Sequence, residues 1–229
     1  MISSSVSQGT RGRYRWIDRF DPHERVLTGR SYDIAKRIMD LLIVTLMLPF
    51  VLPVFALCFL LVKLEVRDAP VLFTQGRTGK NGRTFRMFKF RTMVKDAEAM
   101  KLKLAHLNEL KWPDFKISND PRVTPIGRIL RKTSLDELPQ LINVLRGDMS
   151  LVGPRPTSFS ASTYALWQTE RLDVQPGITG LWQLFGRGST EFDDRLRVDI
   201  AYIQRRCLWL DIQILLRTAP SVLLQRGVQ

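Results

Sequence analysis

One uninterrupted apolar run dominates the hydrophobic pattern of this chain. The 22 residues from 41 to 62 carry no charge, whereas the segments on both sides mix apolar and charged positions. A helix of this length would measure roughly 33 Å, enough to cross a hydrocarbon core of about 30 Å. The pattern is typical of a protein with one membrane-associated segment, because a polytopic membrane protein needs several such runs.

Two prolines, four residues apart, interrupt this run. Pro49 and Pro53 each remove a backbone donor and strain the preceding turn, and the helical arm on either side would reach only about 12 to 14 Å. Lys36 and Arg37 precede the run and further cations follow it, and such flanks tend to stay in the cytoplasm. We therefore predict a re-entrant helix-break-helix over residues 36–63. A transmembrane helix kinked by proline and a buried helix of a soluble core are the alternatives.

The remaining pattern predicts an α+β fold that is mostly helical and contains a small β-hairpin. Strand-like segments at residues 71–75 and 85–88 flank Asn81-Gly82, a dipeptide typical of hairpin turns. Helix formers of mixed charge predict an exposed helix over residues 94–111. Apolar positions at helical spacing over residues 208–224 predict a core helix or a helix lying in the membrane interface.

These segments divide the chain into three parts. Residues 1–35 contain six arginines and few aliphatic side chains, which predicts a mobile basic arm. The re-entrant membrane helix occupies residues 36–63. Residues 64–229 are expected to form a cytoplasmic domain that ends in the interfacial C-terminal helix.

The charge balance indicates an anionic partner. Thirty-five Lys and Arg residues against 22 Asp and Glu residues give a net charge of +13. Nucleic acid, acidic lipid and phosphorylated substrates all fit this charge. The two histidines, His23 and His106, lie far apart and disfavour a His-rich metal site, and the two cysteines suggest no disulfide framework.

Residues 134–145 combine an amphipathic helical pattern with two adjacent carboxylates. Ser134 and Glu137 have the spacing of a capping box, and Pro139 predicts a distorted first turn because it lacks a backbone donor. The capping pattern does not explain why Asp136 lies beside Glu137 among many cations. Helix N-termini favour phosphate, and an ionised carboxylate there could bind a divalent cation or attack an electrophile.

Three further residues are candidates for binding phosphate or lining a pocket. Arg155 lies between two prolines that restrict its backbone, so it either captures a phosphate or pairs with a buried carboxylate. Lys89 belongs to an alternation of aromatic and cationic residues that fits either a half-buried strand or the stacking of single-stranded nucleic acid. Asp199 falls in a helical segment that could line a pocket.

Taken in order, these motifs resemble those of the bacterial sugar transferases called monotopic phosphoglycosyl transferases. The resemblance covers about residues 32–227. It implies the transfer of a sugar-1-phosphate, with a hexose as the expected sugar, from a UDP-sugar to polyprenyl phosphate, with release of UMP. The similar segments are Lys36-Arg37 with Asp40, the proline-broken run, and residues 89–93, 134–140, 153–156 and 176–180.

The resemblance also implies a location and partners. The reaction would take place at the cytoplasmic face of the bacterial inner membrane and begin an exopolysaccharide, with UDP-galactose or UDP-glucose as donor. The expected partners are the UDP-sugar, polyprenyl phosphate and the lipid bilayer, without nucleic acid, and a homo-oligomer is left open. The alternative is a non-catalytic, membrane-anchored basic protein that binds nucleic acid or acidic lipid.

Residue roles follow from the same resemblance. Asp136 is expected to be the nucleophile that forms a covalent phosphosugar-aspartyl intermediate, and also to contact Mg²⁺. Glu137 completes the acidic pair. Phosphate-binding and pocket residues are expected at four further positions, namely Lys89, Arg131, Arg155 and Asp199.

Overall fold

The computed structural model describes residues 15–109, 115, 117–185 and 192–223, and it combines α-helices with two small two-stranded sheets. Its mixed, mostly helical architecture agrees with the predicted fold class. The elements in chain order are α1 (Gly29–Glu65), β1 (Leu72–Thr78), β2 (Thr84–Phe90), α2 (Ala97–Lys103), α3 (Pro125–Lys132), α4 (Gln140–Arg146), β3 (Ser150–Val152), β4 (Gly177–Thr179), α5 (Leu181–Phe185), α6 (Phe192–Arg205) and α7 (Leu208–Leu223).

Helix α1 is longer and more regular than the sequence suggested. It runs from Gly29 to Glu65 with Pro49 and Pro53 inside it, so the expected break does not interrupt the helix. Each proline removes one internal donor, but its fixed φ is close to the helical value and lets the chain continue. The helix is long and apolar enough to cross a membrane, and only 11% of its most apolar window is buried within the protein.

The helix also begins seven residues before the expected boundary at residue 36. Residues 15–28 were assigned by the sequence to a mobile arm, but Trp16, Ile17 and Phe20 pack against the core of the chain. Short 3₁₀ helices cover Arg15–Arg19 and Pro22–Glu24, and Ile17 is fully buried in the core. Residues 1–14 of the predicted arm lie outside the described residues.

One face of α1 contacts the rest of the protein. Fully buried positions recur at helical spacing over residues 32–44 and 58–62, whereas residues 45–57 contain none. In this middle part Val51 and Phe55 pack on the protein while partly exposed, and the opposite face presents apolar side chains to the outside. The buried positions are Tyr32, Lys36, Asp40, Val44, Cys58 and Val62.

Buried polar contacts fix the N-terminal half of α1. The carboxylate of Asp211 on α7 is fully buried and accepts hydrogen bonds from Tyr32 Oη at 2.7 Å and Lys36 Nζ at 3.0 Å. One turn further along α1, Asp40 accepts a 2.7 Å bond from the hydroxyl of Ser150. Because breaking a buried ion pair costs about 3–5 kcal/mol, these contacts hold the helix against the domain.

The predicted hairpin is confirmed. Strands β1 and β2 are antiparallel, and Asn81 and Gly82 in the connection have φ values of 57° and 72°. Positive φ is the conformation for which Asn and Gly are favoured. The predicted exposed helix over residues 94–111 is shorter than expected, because α2 spans only Ala97–Lys103 and a 3₁₀ turn follows it.

The C-terminal helix α7 is largely a core element. Leu210 and Ile214 are fully buried, and they pack with residues of α1, α4 and β3 in the larger of two hydrophobic clusters. Trp209 and Leu216 are exposed on the other side of the helix. The prediction of a core helix is thus confirmed for one face of α7. The opposite face exposes apolar side chains.

Candidate active site

The acidic pair lies in a tight turn between α3 and α4. Ser134 has a left-handed backbone, with φ of 58°, and its side chain makes no cap bond, so the predicted capping box is wrong. Residues Leu135–Glu137 form a single 3₁₀ turn, and α4 begins only after Pro139. The distorted first turn is confirmed, because proline cannot supply the donor that a continuous helix needs.

Strand β2 brings Lys89 to this turn. Asn143 of α4 is fully buried and makes two hydrogen bonds to the backbone of the strand. Its Oδ1 accepts from the Phe88 amide at 3.0 Å, and its Nδ2 donates to the Arg86 carbonyl at 2.7 Å. These bonds fix the distance between the strand that carries Lys89 and the helix that follows the acidic pair.

Glu137 is the centre of an ion-pair cluster. Its Oε1 atom lies 2.7 Å from Lys89 Nζ and 2.6 Å from Arg155 Nη2. Lys89 Nζ also lies 3.7 Å from Asp136 Oδ2, a distance for attraction rather than for a hydrogen bond. Within the described residues, Asp136 accepts no hydrogen bond, so its oxygen atoms are more available to a ligand than those of Glu137.

The two neighbouring carboxyl groups have opposite pKa shifts. Burial raises the pKa of Asp136 above its usual range, and Lys89 offsets this only in part while Glu137 adds to it. Burial would raise the pKa of Glu137 as well, but Arg155 and Lys89 outweigh burial and hold it well below its usual range. Adjacent carboxyl groups whose pKa values are driven apart are typical of pairs with different chemical roles.

Arg131, in the last turn of α3, acts on Asp136 through its charge. Its Nε donates to Thr92 Oγ1 at 2.9 Å, and its charge acts on Asp136 without a direct ion pair. Burial lowers the pKa of Arg131. Arg131 is thus one of the cations that act on Asp136, and its direct hydrogen bond is to a threonine of the segment that follows β2.

The loop that carries Arg155 is held from behind by a residue that the sequence did not reveal. Arg171 Nη2 donates to the Arg155 carbonyl at 2.7 Å and to Asp199 Oδ2 at 3.0 Å. Burial raises the pKa of Asp199 to about 6, and Arg171 opposes the shift. Asp199 therefore supports the loop through Arg171 and does not contact the acidic pair, which differs from its expected position in the pocket.

Two glycines explain why the segments around residues 153 and 177 meet. A Cβ on Gly153 would lie 2.5 Å from the Gln175 carbonyl oxygen, and a Cβ on Gly177 would lie 2.1 Å from the Gly153 backbone nitrogen. Larger residues would force the parallel strands β3 and β4 apart. This close approach fixes the start of the Arg155 loop next to a small cleft lined by Arg155, Thr157, Tyr164 and Arg171.

The donor set is compatible with Mg²⁺. No group of three or more His, Cys, Asp or Glu side chains occurs in the described ranges, so a cage built only from protein ligands is not present there. Mg²⁺ is commonly held by one or two carboxylates together with substrate phosphates, and the uncommitted oxygens of Asp136 fit this arrangement. The carboxylate of Glu137 is less suited, because two cations already occupy it.

The chain is similar to enzymes that act on sugar nucleotides. The family model described as bacterial sugar transferase matches residues 31–225. The undecaprenyl-phosphate galactose phosphotransferase of Salmonella typhimurium is 42% identical over 206 residues, which cover 88% of this chain and 43% of that protein. The chain thus spans less than half the length of this curated relative.

Two other relatives are covered more completely. The exopolysaccharide production protein ExoY of Rhizobium meliloti is 39% identical, and the match covers 91% of this chain and 94% of that protein. The UDP-glucose:undecaprenyl-phosphate glucose-1-phosphate transferase of Caulobacter vibrioides is 43% identical, with 84% of this chain and 71% of that protein covered.

Proposed function

The chain belongs to the family of bacterial sugar transferases, and on this basis we propose that it is a phosphoglycosyl transferase. It transfers a hexose-1-phosphate from a UDP-sugar to undecaprenyl phosphate, releases UMP and thereby begins an exopolysaccharide. The names of the relatives support galactose or glucose as the sugar. The observation that carries the proposal is the Asp136–Glu137 pair, whose two carboxylates lie in one cationic cluster but in different environments.

The reaction consists of two displacements at one phosphorus atom. An oxygen of Asp136 attacks the β-phosphorus of the UDP-sugar, the bond from that phosphorus to the bridging oxygen breaks, and UMP leaves with the bridging oxygen. An oxygen of undecaprenyl phosphate then attacks the same phosphorus and releases the Asp136 carboxylate. A covalent intermediate lets one cationic site accept two mutually repelling anions in turn.

The environments of the two carboxylates favour Asp136 as the nucleophile. Glu137 accepts hydrogen bonds from Lys89 and Arg155, which also lower its pKa, so its oxygen atoms are less available for attack. The raised pKa of Asp136 makes its ionised form more basic and thus a stronger nucleophile. Glu137 in turn orients the two cations beside the phosphate.

Mg²⁺ is proposed to be held by Asp136 together with phosphate oxygens of the substrate. When bound, it would neutralise phosphate charge and favour the ionised state of the carboxylate. The protein side chains orient and neutralise the phosphate from the other directions. Lys89, Arg131 and Arg155 all act electrostatically on Asp136, where the reacting phosphorus would lie.

The contacts of α1 support a re-entrant placement in the membrane. Both ends of the helix touch the same body: its first part packs on α4, α7 and β3, and its last part packs on α3 and β2. One face of the helix also packs on this body in its middle, through Val51 and Phe55, so only the opposite face is free to meet lipid. We therefore propose that both ends lie at the cytoplasmic face of the inner membrane, with residues 45–57 inserted into one leaflet.

A screen for UMP release tests the proposed function. The full chain is reconstituted in lipid nanodiscs with Mg²⁺, undecaprenyl phosphate and, in turn, UDP-galactose and UDP-glucose. Release of UMP with one of these donors, together with a sugar-linked lipid product, is the expected result. Absence of UMP with every UDP-sugar, together with salt-sensitive binding of nucleic acid or acidic lipid, would favour the non-catalytic alternative.

A further inference from the structure

The described site contains more positive than negative charge. Six ionisable side chains act on one another electrostatically, and two of them are carboxylates. With all six ionised, the cluster carries an excess of two positive charges, which an anionic ligand would neutralise. The six side chains are Arg77, Lys89, Arg131, Asp136, Glu137 and Arg155.

Arg77, at the end of strand β1, is the member of this cluster that no motif singled out. Its Nη2 donates to Gln75 Oε1 at 2.6 Å and its Nη1 makes a long, 3.5 Å bond to the Pro156 carbonyl. Its Nε is buried and has no hydrogen-bond partner. No carboxylate of the described residues lies within ion-pair distance of this guanidinium, in contrast to Arg155, which pairs with Glu137.

This environment is unfavourable for a cation in the absence of a ligand. Burial, together with the nearby charge of Arg155, lowers the pKa of Arg77 to about 10. A buried charge without a counter-ion and an unsatisfied buried donor both destabilise a fold. Such a group is therefore expected where a ligand supplies the missing anion.

The position of Arg77 fits a phosphate that is shared with Arg155. The two guanidinium groups are carried by different elements, β1 and the loop after β3, which meet at Pro156. In this arrangement Glu137 neutralises the charge of Arg155. No carboxylate of the described residues pairs with Arg77 in the same way. The planar guanidinium group binds phosphate oxygens in a bidentate manner.

We propose that Arg77 is a second phosphate-binding guanidinium, which forms with Arg155 a two-arginine clamp around an anionic phosphate group of the substrate. The proposal rests on the proposed function, because it assigns a further residue to the same site. The phosphate belongs either to the nucleotide sugar or to the polyprenyl phosphate. Both have the same recognition chemistry, and the experiment below separates them.

The test compares Arg77→Met with Arg83→Met in the full chain in nanodiscs. Arg83 lies exposed at the turn of the same hairpin and has no described side-chain contact, so its substitution removes the same charge from the same hairpin. Affinity for UMP and for inorganic pyrophosphate is measured by calorimetry, and thermal stability is measured without ligand. Direct binding is independent of turnover, so a failure of the clamp and a failure of the proposed reaction give different results.

Arg77→Met is expected to lose about 10- to 100-fold in affinity for a phosphate ligand, the loss typical of a charge-assisted hydrogen bond. Its thermal stability should equal or exceed that of the wild-type protein, because the substitution removes an unpaired buried charge. Arg77→Lys, which keeps the charge but not the fork, should recover part of the affinity. Arg83→Met should change neither quantity.

The two half-reactions identify the source of the phosphate. Weaker binding of UMP and slower labelling of the enzyme by UDP-sugar would assign Arg77 to the nucleotide sugar. Unchanged labelling with slower discharge of the labelled enzyme by undecaprenyl phosphate would assign it to the lipid. Wild-type binding and wild-type rates in both half-reactions would overturn the proposal. A marked fall in thermal stability of Arg77→Met would also overturn it, because Arg77 would then serve the fold.

Discussion

The guanidinium of Arg155 lies 2.6 Å from the carboxylate of Glu137, the residue next to the proposed nucleophile. The sequence alone left two roles open for Arg155, a phosphate-binding arginine or the partner of a buried carboxylate. The structure shows the second arrangement. The two roles are compatible if Glu137 orients Arg155 for the phosphate that Asp136 attacks.

Glu137→Gln should therefore slow the reaction without preventing it. The variant keeps the size of the side chain but removes the charge that holds Lys89 and Arg155. We expect a decrease of about 10- to 100-fold in the rate of UMP release, from the loss of charge-assisted hydrogen bonds. Unchanged kinetics in the UMP-release assay would show that Glu137 does not orient these cations.

The pH dependence of enzyme labelling should reflect the raised pKa of Asp136. The carboxylate attacks only when ionised, so labelling occurs above its pKa and is lost as the pH falls through it. The loss should begin at a higher pH than for an ordinary Asp. In Glu137→Gln the midpoint should move to lower pH, because the neighbouring negative charge that raises the pKa of Asp136 is absent. Rapid-quench labelling at constant Mg²⁺ measures both midpoints. Identical pH profiles for the wild-type protein and Glu137→Gln would contradict this prediction.

Asp199 should make folding stability depend on pH. Its folded-state pKa of about 6 exceeds the value of about 3.9 expected in the unfolded chain, so its effect on stability is most favourable below the lower value. That effect is lost as the pH rises through the folded-state pKa. Relative to Asp199→Asn, the wild-type protein should lose about 2 kcal/mol of stability between pH 4 and pH 7. Urea unfolding of both proteins across this range measures the difference, and a constant difference would refute the prediction.

The placement of α1 can be tested by cysteine labelling. In a variant with both native cysteines replaced by serine, single cysteines are introduced at Val26, before the helix, and at Arg67, after it; both positions are exposed. An impermeant reagent should modify both in inside-out vesicles and neither in intact cells. A cysteine at Phe50, which is exposed in the middle of the helix, should be protected by lipid in both preparations. Labelling of positions 26 and 67 from opposite sides would refute the re-entrant placement.

Local sequence patterns were sufficient to predict the hairpin and most residues of the cationic cluster. The Asn81-Gly82 turn follows from the φ values that these two residues tolerate, and it pairs β1 with β2 over their full length. The acidic pair was found because adjacent carboxylates among cations have no simple structural explanation. Lys89 and Arg155 were assigned to the same site by family resemblance, and the structure brings both to Glu137.

Contacts between distant segments could not be predicted in the same way. The bonds of Arg171 to Arg155 and Asp199 depend on how a 3₁₀ segment packs between a loop and α6. Similarly, Lys36 and Asp211 form a buried pair although 175 positions separate them. The conformation of Ser134 was predicted wrongly for a local reason. The sequence has the spacing of a capping box, but Pro139 and the end of the preceding helix prevent a regular helix from starting at Ser134.

The central claim is that Asp136 forms a covalent bond to the sugar phosphate. The most direct measurement is the intact mass of the full chain in nanodiscs after incubation with Mg²⁺ and a UDP-hexose, without undecaprenyl phosphate, followed by peptide mapping. The account predicts one added hexose phosphate on the peptide that contains Asp136, its absence in Asp136→Asn, and its removal when undecaprenyl phosphate is supplied. An adduct formed to the wild-type extent in Asp136→Asn, or turnover of the wild-type protein without any adduct, would contradict it.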